Sequence, residues 1–220
     1  MKCYISFFRL PKVFIHCNQA LYPEQEFYSK CRRLIKKSLG GNGMPVFKNN
    51  VKCIIRPAAL KDAKQILELE YSIIAEREFF ISVPEEFEKP SIQEEKEWIH
   101  RIIENDKETL LVAEIDGGVV GWIVFQSDNR KRLSHTGSVS MLVTKGYRGM
   151  GIGKMLLKAL LDWAEKSPFI EKVSLGVLST NLKAISLYKS MGFLEEGRKI
   201  KEFKMSENEY VDDILMYKFV

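Results

Sequence analysis

The chain has 220 residues, 45% hydrophobic and 29% charged, with a formal net charge of +5. That composition suits one globular domain with a small addition, and no apolar run approaches the ~18 residues of a membrane-spanning helix. The charge is uneven: residues 1–50 carry nine Lys or Arg against two Glu, while residues 51–220 carry 25 against 27, so the main part lacks the basic footprint of a nucleic-acid binder.

Residues 1–50 stand apart as a basic N-terminal extension, and 51–220 as the principal domain. The first eleven residues are too short and too charged to read as a signal peptide. Residues 25–39 suit a short basic helix, and 38–44 have a loop composition. Two explanations stay open. One is a basic arm that docks on an acidic surface. The other is a chain that starts at Met44, because codons for Gly40 and Gly41 can encode a ribosome-binding run. Cys3, Cys17, Cys31 and Cys53 form no Cys-x-x-Cys pair, and the three histidines are not clustered. No metal site and a reducing cytoplasm are therefore expected.

From Val51 the elements alternate regularly. Residues 51–56 read as a strand stopped by Pro57. Helical patterns follow at 60–77 and 91–105, separated by Pro84 and Pro90. Strands at 109–115 and 119–126 are joined at Asp116-Gly117-Gly118, a strong hairpin signal. A strand at 138–143 leads into Lys145-Gly-Tyr-Arg-Gly-Met-Gly-Ile-Gly-Lys154, and then into a helix. Ile152, Met155, Leu156, Ala159, Leu160 and Trp163 give that helix one apolar face. A strand at 170–178, a helix at 182–191 ending at Gly192, and strands at 193–205 and 209–219 complete the chain.

The glycine loop between strand and helix is built for a phosphate. A helix N-terminus presents unpartnered N–H groups and about half a positive charge, and glycines let an anion approach the backbone closely. A Walker loop does not fit, because Arg148 stands where its first glycine belongs and Met155 where its Ser or Thr belongs. The dinucleotide fingerprint does not fit either, because Gly149, Gly151 and Gly153 are evenly spaced. What remains is Arg148-x-x-Gly151-x-Gly153.

Downstream, Asn181-x-x-Ala-x-x-Leu-Tyr188-x-x-x-Gly192-Phe193 places Asn181 and Tyr188 two helical turns apart on one side. Taken alone, Asn181 is a good N-cap and Tyr188 a core aromatic. Together with the glycine loop, the pattern resembles the GNAT superfamily of acyl-CoA-dependent N-acyltransferases, over the stretch from Val51 to the C-terminus. The resemblance implies an α/β (α+β) fold, a mixed and bent sheet with helices on both faces in the order βααβββαβαββ. It implies acetyl-CoA as cosubstrate, its pyrophosphate held by the backbone from Arg148 through Gly149, Met150, Gly151, Ile152 and Gly153 to Lys154. Asn181 would lie along the pantetheine arm, and Tyr188 would reach the thioester sulfur. The strand at Met141, Leu142 and Val143 would supply oxyanion donors if splayed from its neighbour.

The implied reaction is direct attack of a primary amine on the thioester in a ternary complex. Reference values near ~10 for Tyr and ~8.5 for a thiol make full proton transfer to the leaving sulfur uphill by ~2 kcal/mol, so Tyr188 is expected to donate a hydrogen bond there. Deprotonating the amine at pH 7 costs about 1.4 kcal/mol for an α-amine and ~4.6 kcal/mol for a lysine-like amine. Candidate bases are His135, Glu70, Glu76 and Asp212, beside a water chain. Arg130, Lys131, Arg132 and His135, with Glu209, Tyr210 and Asp212, resemble a bacterial branch acting on free amino acids or small amines. Protein N-termini remain an alternative acceptor, a non-catalytic acyl-CoA-binding module an alternative function, and a homodimer an open state.

Overall fold

The computed structural model describes residues 46–48, 51–78, 81–128 and 130–220. The basic helix expected at 25–39, the Met44 start and Cys3, Cys17 and Cys31 lie outside these residues. One eight-stranded sheet runs in the order β1-β2-β3-β4-β5-β6-β8-β7. Its strands are β1 Val46–Lys48, β2 Val51–Pro57, β3 Thr109–Ile115, β4 Gly118–Ser127, β5 Thr136–Val143, β6 Lys172–Leu178, β7 Leu194–Lys204 and β8 Tyr210–Phe219. The helices are α1 Ala63–Ile74, α2 Ile92–Ile103, α3 Ile152–Ala164 and α4 Leu182–Ser190. The sheet thus starts five residues before the expected boundary, with β1 paired antiparallel to β2 from Val46↔Cys53 to Lys48↔Val51. So short a strand carries no alternation that its sequence could show.

Local chemistry explains the element ends. The β3–β4 hairpin turns on Asp116 (φ 49°) and Gly117 (φ 81°), the left-handed pair that matches strand twist. At α2, Ser91 Oγ accepts the Glu94 N–H at 3.2 Å and Glu94 returns the bond to the Ser91 N–H at 2.9 Å, a capping box. Before α1, the Arg56 guanidinium grips Asp62 at 2.6 and 2.9 Å and Glu114 at 2.7 Å, while Asp62 also accepts the Ala59 N–H at 2.8 Å. This network pins the start of α1 to β2 and β3.

Two apolar layers sandwich the sheet. Ile152, Leu156, Leu157 and Leu160 of α3 pack with Leu111, Ile123, Phe125, Val173 and Met216 on one face. Ile66, Ile73 and Ile74 of α1, with Ile99 and Ile102 of α2, pack with Val112, Trp122, Val124 and Leu142 on the other. Each such side chain contributes roughly 1.5–3 kcal/mol when fully buried.

The β5–β6 pair positions the site. It is parallel, and the ladder covers only Thr136↔Lys172, Gly137↔Val173 and Ser138↔Ser174. Beyond Ser138 the two strands continue, to Val143 and Leu178, without pairing to each other. β5 keeps β4 on its other edge throughout, and β6 keeps β8. A mixed sheet with helices on both faces, opened between β5 and β6, is what the sequence led us to expect.

Candidate active site

The opening between β5 and β6 lies at the end of β5 that feeds the glycine loop. After a short 3-10 turn at Lys145–Tyr147, the backbone takes φ 73° at Gly149 and φ 86° at Gly151, the residue that precedes α3. A Cβ built on either glycine meets no atom within 4 Å, so their backbone borders open space. Gly151 is the N-cap of a thirteen-residue helix, and its carbonyl accepts the Met155 N–H. Here, then, are a helix N-terminus, left-handed glycines and room for an anion.

Gly153 differs. A Cβ there would stand 3.4 Å from Met141 Cε and 3.4 Å from Leu187 Cδ2. It lets the first turn of α3 sit against β5 and α4, which brings the three stretches singled out from the sequence to one place.

On α4, Asn181 is the N-cap, and its Oδ1 accepts the Ala184 N–H at 3.1 Å. Two turns on, Tyr188 is buried at 8% exposure, with its ring 5.9 Å from that of Phe193. Both local expectations, cap and core aromatic, are met on the helix whose Leu187 approaches Gly153 of the glycine loop.

The candidate bases separate by position. His135 precedes β5 at its paired end, where its carbonyl accepts the Glu171 N–H. Five residues of strand separate it from Met141, a span of ~20 Å. Glu76 is held by the Arg148 fork at 2.6 and 3.0 Å. Asp212 accepts the Lys201 N–H at 2.6 Å and the Arg198 Nε at 2.7 Å, which hold its carboxyl below the usual range. Glu70 is buried at 5% exposure, in the same stripe of α1 as Ile66, Ile73 and Ile74.

One carboxylate escaped the sequence reading. Asp213 is 1% exposed and accepts the Lys199 Nζ at 3.2 Å. Its Oδ1 lies 2.8 Å from where a Cβ of Gly176 would be, so a larger residue there would have to displace the carboxylate. The signal was Gly176 in the middle of an apolar strand, a mark of close approach. No group of three or more metal-ligating side chains occurs among the described residues. Among these residues no helix is long and apolar enough to cross a membrane.

Residues 68–193 match the model of the Acetyltransferase (GNAT) family. The chain belongs to the GNAT acetyltransferase family. It is 31% identical over 171 residues to an N-alpha-acetyltransferase of Sulfurisphaera tokodaii, covering 72% of this chain and 86% of that one. It is 29% identical over 119 residues to the L-amino acid N-acetyltransferase AaaT of Escherichia coli, covering 54% and 73%. A GNAT-family acetyltransferase structure from Streptococcus pneumoniae superposes with a TM-score of 0.73 at 26% identity, covering 76% and 99%. This GNAT protein is an acetyl-CoA-dependent N-acetyltransferase.

Proposed function

We propose that this enzyme acetylates the primary amine of a small molecule, with a free amino acid as the leading class. The observation that carries the reaction is the β5–β6 ladder, which stops at Ser138↔Ser174 and leaves β5 unpaired to β6 over the stretch that leads into the glycine loop. In this reading the backbone from Arg148 to Lys154 holds the pyrophosphate, with Gly149 and Gly151 giving it clearance. Met141 and Val143 of β5 offer N–H donors on the open edge to the carbonyl oxygen as it becomes an oxyanion, whereas strand alternation turns the Leu142 N–H toward Trp122 of β4. Asn181 lies along the pantetheine arm through its amide N–H2 end, because its oxygen caps α4. The amine nitrogen attacks the thioester carbon, the C–S bond breaks, and the departing thiolate receives a hydrogen bond from the Tyr188 hydroxyl.

Glu70 is the residue we place as base, directly or through water. Its burial on the α1 face that packs with Leu142 of β5 supports this placing, and distance argues against His135. The acceptor class draws support from the likeness to the E. coli L-amino acid enzyme. The likeness to the Sulfurisphaera N-alpha-acetyltransferase, which extends over more of both chains, supports a second acceptor, a peptide N-terminus. Thiol release from acetyl-CoA should be followed with the free amino acids, spermidine and short peptides with free N-termini, and the products weighed by mass spectrometry. Turnover of free amino acids above peptides carries the first reading, and the reverse order replaces it with the second.

A further inference from the structure

Arg148 belongs to the glycine loop, and its side chain is engaged by the ends of α1 and β5. Its two terminal nitrogens donate to Glu76 at 2.6 and 3.0 Å, and its Nε donates to the Val143 carbonyl at 2.9 Å. Glu78 stands 4.0 Å from the same guanidinium and 3.5 Å from Lys145 Nζ. Glu76 follows the last turn of α1, where Arg77 takes a left-handed φ of 55°. One side chain thus joins the end of β5, the glycine loop and the end of α1. The fork geometry is the strong form of a charge-assisted pair, and the side chain of Glu76 is only 14% exposed. Arg148 also places a cation near the carbonyl end of α1, where the helix dipole favours it.

We propose that Arg148 is a positioning residue that, through its fork on Glu76, carries coenzyme occupancy of the glycine loop to the C-terminal end of α1. The inference rests on the reading that the loop holds the coenzyme pyrophosphate. A bound pyrophosphate removes freedom from the backbone of 148–154. An Arg148 already held pays less entropy to keep Glu76, and the end of α1 frays less. Glu70 lies on this same helix, so the transmitted order reaches the element that carries the proposed base.

Hydrogen exchange of the full chain, with and without coenzyme A, tests this. In the native protein coenzyme A should slow exchange at 149–154 and also at 75–78, the latter by about 5-fold or more, the low end of site-to-site coupling. Glu76→Gln should keep the effect at 149–154 and lose it at 75–78. Arg148→Lys, which retains the charge without the fork, should lose most of the effect at 75–78 as well. Protection at 75–78 that survives in both variants, or is absent in the native protein while the loop responds, overturns the inference and leaves the coenzyme site standing. No response at 149–154 overturns both.

Discussion

Met141 and Gly153 meet across the gap between β5 and α3, with the thioether sulfur 3.7 Å from the place a Cβ of Gly153 would take. Leu187 closes the same spot from α4. Gly153 thus lies at the packed meeting of α3, β5 and α4, with room for little more than a methyl. Gly151, two residues earlier, serves conformation. Its φ of 86° is open to glycine and strained for other residues.

These roles predict opposite responses to alanine. Gly151→Ala should cost about 1–2 kcal/mol through the left-handed backbone alone, although the side chain would meet nothing. Gly153→Ala adds a methyl at ordinary contact distance and gains roughly 0.8–1 kcal/mol of helix propensity, so its thermal midpoint should hold or rise. Gly151→Glu should in addition abolish coenzyme A binding, by placing a carboxylate against the pyrophosphate. Thermal unfolding and calorimetric titration of the three variants check this. A Gly153→Ala protein less stable than Gly151→Ala would show that the packing at Met141 is tighter than its distances.

Asp62 should dominate the stability of the α1 start. Burial works against its charge, yet the bonds from Arg56 and the Ala59 N–H prevail and hold its carboxyl below the usual value. A depressed carboxylate adds stability that is complete above the unfolded value near ~3.9 and is lost as pH falls through the lower folded value. Asp62→Ala removes one partner of a buried ion pair and should cost about 3–5 kcal/mol at pH 7. In urea titrations the variant should also show a shallower loss of stability below pH 4. A loss under 1 kcal/mol would mean that water replaces the carboxylate at Arg56.

The fold was legible because its elements announce themselves. The Asp116-Gly117 hairpin, the Ser91 box with Glu94, and the spacing of Ile152, Leu156 and Leu160 are local, and local chemistry is what sequence displays. The candidate site was legible where it is contiguous, in the glycine loop and in the Asn181–Tyr188 helix. Pairings across long separations were not. Nothing near Arg148 points to Glu76, 72 residues away. His135 looked well placed because the strand it begins was known, but the end of that strand which opens was not. The burial of Asp213 depends on a glycine in a different strand.

Glu108 predicts a pH effect on stability that is separate from catalysis. It precedes β3 near Ser127, at the opposite end of the sheet from the glycine loop. Burial pushes its carboxyl up from an ordinary 4.5 to about 7, against the pull of Arg101 and the Ser127 N–H. The folded state then holds a proton that the unfolded state releases. Stability should fall as pH rises from ~4.5 to ~7 and level off above. Because the group is half-buried, the effect should be about 1–3 kcal/mol, less than the whole shift implies. Glu108→Gln should remove that slope and raise the midpoint at pH 8, with turnover unchanged. A variant no more stable than the native chain at pH 8 would show that Glu108 ionises at its ordinary value.

Tyr188→Phe is the sharpest test of the chemistry. The ring keeps its contact with Phe193 and its place in the core, so the fold, the thermal midpoint and acetyl-CoA affinity should all persist. Only the hydroxyl is lost. If that hydroxyl donates to the departing sulfur, kcat should drop by ~10²-fold or more, the usual scale for losing a positioned acid. The contact exists in the transition state and not in the bound thioester, so kcat/KM should fall by the same factor. The high-pH limb of the native rate profile should vanish in the variant, because no titrating donor is left to lose its proton. Raising the pH should then help only by deprotonating the amine. Near-normal turnover in Tyr188→Phe would make Tyr188 a packing residue and assign protonation of the leaving thiolate to water.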